Sequence, residues 1–237
     1  SKSLLLTSEN EKNLLKNTFV DTKGIKKKIV GYGIIKPRYN KIAAEKDFYK
    51  KFPKLKGKKF LLYLGRFHEK KGCEILLKAL KKLSDENIKF NILIAGPDND
   101  YKKKLIEMSK NYNLTKQIHW SGMLLKNLKW GAISLSKAMV LASHGENFGV
   151  SIVESLSCSK PVLTTNKVNI YKKIIKYKSG YISKDNVNSF FSILKKFNNL
   201  NKKHLIKLSK NSLKCFNDNF NLETNKKSLA NFLNNTK

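Results

Sequence analysis

The run KFLLYLGRFHEKKGCEILLKALKKL, from Lys59 to Leu83, decides how this chain folds. Phe60 to Leu64 are five apolar residues in a row, the length and character of a strand buried on both faces. Gly65 closes the run. From Cys73 the spacing changes: Ile75, Leu76, Ala79, Leu80 and Leu83 recur at helical intervals and mark one apolar side. A buried strand followed at once by an amphipathic helix is the first part of a parallel crossover, because parallel neighbours need a connection long enough to return along the sheet.

The same alternation continues downstream. Phe90–Ala95 (FNILIA) reads as a second strand stopped by Gly96-Pro97, Asp100–Tyr112 as a helix, and Gln117–Trp120 as a short strand before Gly122. Lys126–Ser136 reads as a weaker helix, Ala138–Ala142 (AMVLA) as a strand, Phe148–Ser157 as a helix and Pro161–Thr164 as a strand. The order predicts an α/β fold, a Rossmann-like parallel sheet with helices on both faces, whose ligands sit outside the carboxyl ends of the strands.

This sheet domain is expected over residues 59–200. Residues 201–237, with KKHLIKLSKNSLKCF and ETNKKSLANFL, form a C-terminal helical segment. Residues 1–58 do not read as a complete domain. They hold SENEKNLLK, a helix start with Ser8 as its cap, and a lysine-rich connector containing KIVGYG. Because the first residue is Ser1 and not Met, upstream sequence is expected to be missing.

Composition excludes several classes. At 41% hydrophobic the chain can build a core, and its apolar runs are far too short to cross a bilayer. No signal peptide is visible at the start. Cys73, Cys158 and Cys215 are odd in number and widely spaced, and His68, His119, His144 and His204 lack ligand spacing, so neither a disulfide framework nor a metal site is expected. A reducing cytoplasm is the simplest setting.

Charge is the strongest compositional bias: 49 basic residues against 17 acidic, a net of +32 and a pI near 10.0. Only Arg38 and Arg66 are arginines, so 47 of the 49 are lysines, whereas specific base readout leans on arginine forks. The lysines are scattered and accompany many Asn and Ile, as in a background compositional bias. A solvated lysine surface ranks first, attraction to an anionic membrane second, and no specific nucleic acid is expected as a partner.

Two stretches after strands carry chemistry. In GRFHEKKG, Gly65 lets the backbone turn close to a ligand, Arg66 and Lys71 present two cations, and Gly72 opens a helix whose free amides favour an anion. Together they suit a phosphate or diphosphate; a basic surface turn is the plain alternative. In HGENFGVSIVES, Glu146 precedes a helix start and Glu154 follows with seven residues between them, flanked by Ile152, Val153 and Leu156. Glu146 is either a helix cap or a ligand contact. Glu154 either pairs with a lysine or accepts hydrogen bonds from a pair of ligand hydroxyls.

In order, LGRFHEKKGCEILLKAL, ILIAGP, IHWSG and MVLASHGENFGVSIVESLSCSKPVL resemble the carboxy-terminal, donor-binding domain of group 1 (family 4) retaining glycosyltransferases, one half of a GT-B fold. The likeness covers roughly residues 61–199, and LLTSENEKNLLK resembles the end of that family's amino-terminal domain. The resemblance implies transfer of a sugar from a nucleotide diphosphate to a glycan or lipid-linked acceptor, as in the synthesis of surface polysaccharide or glycolipid. It assigns Arg66 and Lys71 to the diphosphate, Glu146 to the donor sugar's hydroxyls and Glu154 to the ribose. Gly65, Met123, Asn147, Phe148, Gly149 and Val150 then line the donor, and no metal or other cofactor is expected. Most of the acceptor domain is not in the 237 residues, so donor binding with little or no transfer is expected of them. The location implied is cytoplasmic, with an anionic inner membrane face as a further partner.

There are departures: Ser159 in SCSKPV where the family usually has glycine, VNIYKKI without the usual Gly and Glu, and Tyr32-Gly33 in place of an Asn-Gly turn. They bear on the acceptor side and the hinge. A non-catalytic nucleotide-sugar-binding domain is the alternative reading, and a basic nucleic-acid-binding protein the one after it.

Overall fold

The structure, a computed structural model, describes residues 3–6, 9–15, 24–29, 32–223 and 226. In chain order the first elements are β1 (Ser3–Leu6), α1 (Glu9–Leu14), β2 (Lys26–Ile29), α2 (Lys41–Lys51), β3 (Phe60–Leu64) and α3 (Cys73–Asp85). Then come β4 (Asn91–Ala95), α4 (Asp100–Asn111), β5 (Ile118–Ser121), α5 (Lys126–Leu135), β6 (Ala138–Leu141) and α6 (Val150–Ser157). The last are β7 (Val162–Thr165), α7 (Tyr171–Tyr177), β8 (Gly180–Ser183), α8 (Val187–Asn198) and α9 (Lys202–Asn219).

Six strands form one parallel sheet in the order β5-β4-β3-β6-β7-β8, while β1 and β2 pair separately, also in parallel. The chain runs outward from β3 to β5 on one side, then returns beside β3 as β6 and runs outward to β8. The order therefore reverses between β3 and β6, the place where open α/β sheets leave a crevice. All five residues of β3 and all four of β6 are buried. That is the burial a continuous apolar run demands, with α3 resting on α4 and α8, α5 on α2, and α6 and α7 on α9. The apolar stripe of α3 is buried as its spacing predicts.

Asparagine, abundant in this chain, starts four of the helices. Asn40, Asn99, Asn186 and Asn201 each accept a hydrogen bond from a first-turn amide, those of Ala43, Lys102, Ser189 and His204, at 2.9–3.0 Å. An N-cap of this kind contributes about 1 kcal/mol.

Several boundaries differ from the sequence reading. The helix expected from Phe148 begins at Val150, because Gly149 takes a left-handed conformation (φ 71°) and breaks the backbone there. The strands expected over 117–120 and 161–164 each lie one residue later; Pro161 has no N–H to donate, though its carbonyl accepts from Met139 at 3.0 Å. The elements β1, β2, α2, α7, β8 and α8 were not foreseen. Packing also runs across the boundary expected at residue 59: Ala44 and Phe48 of α2 and Leu55 are fully buried, and Phe48 stacks on Phe60 of β3 at 5.5 Å. The capping role expected of Ser8 and most of the helix expected from Glu223 lie outside the described residues.

Candidate functional site

The carboxyl ends of β3, β4 and β6 open into a cavity of about 450 Å³. Leu64 and Gly65 enter it from β3, Ala95 to Pro97 from β4 and Leu141 from β6. Gly65, Arg66, Lys71, Met123, Glu146, Asn147, Phe148, Gly149, Val150 and Glu154, the ten residues singled out from the sequence, all line this one cavity. Residues 80 apart meet there because each loop leaves the same edge of the same sheet.

The two motif loops are tied to each other. The carbonyl of Lys70 accepts from the His144 amide at 2.8 Å and from the Ser143 hydroxyl at 2.7 Å. Between them Gly72 sits in the left-handed region (φ 65°), and a side chain there would run into the Ala142 backbone. The loop after β7 supports the second motif from behind. The Glu146 amide donates to Lys167 at 3.1 Å, the Asn169 amide to Glu146 at 2.9 Å, and the Asn169 side chain to Asn147 Oδ1 at 3.0 Å. VNIYKKI thus has a structural use that its sequence did not show.

Phe148 is held from both ends of the chain. Tyr32 meets it edge-on at 4.6 Å and Phe220, just past α9, at 5.8 Å. The Ile34 amide donates to Phe220 at 2.9 Å and the Leu222 amide to Ile34 at 3.0 Å, which closes this clasp.

Both glutamates are engaged by lysines. Lys71 Nζ donates to Glu146 Oε1 with the two side chains 19% and 13% exposed. Lys129 Nζ on α5 donates to Glu154 Oε1 at 2.7 Å. Gly149, and not Glu146, occupies the cap position of α6, without any side-chain capping bond. The Glu146 carboxylate accepts from Lys71 and from no first-turn amide of α6 among the described residues. For Glu154 the lysine pairing is present, and inside the cavity. Arg66 is exposed and forms no ion pair among the described residues. The amides of residues 147–151 donate to no other group among the described residues, so the start of α6 offers a row of free donors beside three cations.

Nearby ionisable groups have their chemistry suppressed. Burial pushes the Cys73 thiol up to about 12, so it is no nucleophile at neutral pH. Burial likewise raises the Tyr63 hydroxyl, which donates to the Arg66 carbonyl at 3.2 Å. Among the described residues no three His, Cys, Asp or Glu side chains gather at metal-ligand range. No described helix is long and apolar enough to cross a membrane. Lys129 and Phe220 were missed by the sequence reading, which named Tyr32 only as part of an unusual turn and not as a partner of Phe148; a lysine among 47 carries no local signal that could have found it.

A reversed parallel sheet with free amides and cations at its crevice defines an α/β domain of the kind that binds phosphate-bearing ligands. Within that class, the family model for glycosyl transferases group 1 matches residues 45–214, and the chain belongs to that family. A 2-deoxystreptamine N-acetyl-D-glucosaminyltransferase of Niallia circulans is 29% identical over 112 residues, which is 47% of this chain and 28% of that protein. The fold matches solved GT-B glycosyltransferases. Sucrose-phosphate synthase from Thermosynechococcus elongatus superposes with a TM-score of 0.82 at 19% identity, covering 98% of this chain and 57% of that one. HepE of Anabaena, solved with UDP and glucose, gives 0.83 at 15%, covering 99% and 64%. The chain thus spans less than two thirds of the length of each of these proteins.

Proposed function

We propose that this domain binds a nucleotide-diphosphate sugar and serves a glycosyltransferase that moves the sugar, with retention, to a glycan or lipid-linked acceptor. The observation that carries the reading is the polarity of the cavity. Arg66, Lys71 and the free amides at the start of α6 line the same cavity as Glu154, a full turn further along that helix, and as Met123 and Leu124. A diphosphate fits the first part and a nucleoside the second.

In this reading Arg66 and Lys71 stabilise the charge that grows on the diphosphate as the glycosidic bond breaks, which assigns that work to side chains and not to a metal. Lys71 is shared: its bond to Glu146 keeps both groups at the reacting centre, where Glu146 accepts from a sugar hydroxyl. Glu154 accepts from the ribose hydroxyls. The 237 residues alone bind donor and transfer little. The enzyme works in the cytoplasm, and its lysine excess draws it to an anionic membrane face, where a lipid-linked acceptor would lie; equal flotation with anionic and neutral vesicles would remove that last element.

Thermal unfolding with UDP, GDP and ADP tests the donor site. Ligand at about 100 times its dissociation constant stabilises the fold by roughly 2.7 kcal/mol. One nucleotide is expected to shift the wild type and to lose most of its effect on Arg66→Ala and Glu154→Ala. A shift that survives both substitutions refutes the assignment.

A further inference from the structure

Lys129 stands on α5 directly before Trp130, and two contacts hold its ammonium. Nζ donates to Glu154 Oε1 at 2.7 Å and lies 4.3 Å from the centroid of the Trp130 ring. Trp130 is itself stacked on Tyr39, with centroids 5.5 Å apart and planes 17° from parallel. The lysine is 28% exposed and the glutamate 15%. An ordinary surface ion pair loses most of its value to water and to side-chain freedom. Here the ring beneath the ammonium limits that freedom, and both partners line the donor cavity. An ionised carboxylate has two oxygens with about four acceptor positions. The lysine uses one of them, so the pair does not exhaust Glu154 as an acceptor.

We infer that Lys129 is a positioning residue: it fixes the orientation of the Glu154 carboxylate within the cavity, so that the remaining oxygen accepts from a ligand's hydroxyl pair. This rests on the proposed donor site. Without Lys129 the Glu154 carboxylate, only 15% exposed, would lose the cation 2.7 Å from it, a costly change for a largely buried charge. Lys129 would then control how sharply the site tells a ribonucleotide from its deoxy form, more than how firmly it holds the phosphates.

The test is a calorimetric titration of the 237-residue chain with UDP, GDP and ADP, followed by the 2′-deoxy and 3′-deoxy forms of whichever binds. Wild type is expected to prefer the ribonucleotide to at least one deoxy form by roughly tenfold, the worth of a hydrogen bond to a charged group. Lys129→Met is expected to cut that preference to about twofold, Lys129→Arg to keep most of it, and Lys129→Met to add nothing in a Glu154→Gln background. The unliganded melting midpoint of each variant checks folding; should Lys129→Met not fold, Lys129→Gln carries the same comparison.

An unchanged preference in Lys129→Met, beside a lost one in Glu154→Gln, overturns the inference and leaves the donor site standing. Tighter binding by Lys129→Met overturns it too, since the lysine would then be an obstacle that the ligand displaces. No binding of any nucleoside diphosphate by wild type overturns the donor site and this inference together.

Discussion

Gly72 is where the phosphate-side loop can be tested by adding one methyl group. Its φ of 65° is left-handed, and a Cβ there would stand 2.6 Å from the Ala142 carbonyl carbon and nearer still to the oxygen. Carbon atoms rest at about 3.5–4.0 Å, so the two backbones must part by roughly 1 Å. Gly72→Ala therefore carries about 1–2 kcal/mol of left-handed strain and about 1–3 kcal/mol of overpacking. About 0.4–1 kcal/mol is offset by the stiffer unfolded chain. The net loss is about 2–4 kcal/mol, or roughly 5–15 °C in melting midpoint for a chain of this length. Gly57 supplies the control: its φ is 75°, but nothing lies within 4 Å of its added Cβ. Gly57→Ala then shows the strain alone, about 1 kcal/mol or less after the same offset. Thermal melts of both variants by circular dichroism read the difference. If the two midpoints fall within about 2 °C of each other, contact between the loops does not explain the glycine. Since Ala142 leads into the segment that ends at Glu146, Gly72→Ala is also expected to weaken nucleotide binding where Gly57→Ala does not.

Two further outcomes follow from the packing and the charge. Phe48→Ala, which empties the fully buried contact between α2 and Phe60, is expected to cost about 3–5 kcal/mol in chemical denaturation; a loss under about 1 kcal/mol would mean that α2 is not part of the domain's core. Burial, and then the neighbouring Lys41, pull Lys160 down to about 8 from an unfolded value near 10.5. Between those values the unfolded chain holds more protons, so this group makes stability rise with pH there, and below about 8 its penalty is complete. Lys160→Met is expected to melt higher than wild type near neutral pH and to lose that lead by about pH 10; a lead that does not change with pH would contradict the burial of the charge.

Legibility followed the strength of local patterns. β3, β4 and β6 were readable because central parallel strands are buried on both faces and must be apolar throughout, which no other element of that length demands. The edge strand β8 shows only partial burial from Gly180 to Ile182 and so carries no such run. In α2 only Ala44 and Phe48 are buried, too few to set a period against its charged residues. α6 was found, but its start was misplaced by two residues, because glycine at 149 is compatible with a helix start or a loop until its φ is known.

The site divides in the same way. Sequence alone determined the strand-turn-helix order, and with it the edge of the sheet on which GRFHEKKG and HGENFGVS would emerge, because apolar spacing is local and a parallel sheet puts every strand's carboxyl end on one side. It also marked Arg66 and the two glutamates, whose types are rare in this chain. Tertiary structure alone decided which lysines meet those glutamates. Among 47 lysines no spacing distinguishes Lys71 and Lys129, and the choice is made by distances of 3 Å or less between loops and helices far apart in the chain. It decided as well that Tyr32 and Phe220, from opposite ends of the chain, close on Phe148. Contacts of that kind depend on how the sheet and its helices are stacked, and a period read along the chain holds no information about them.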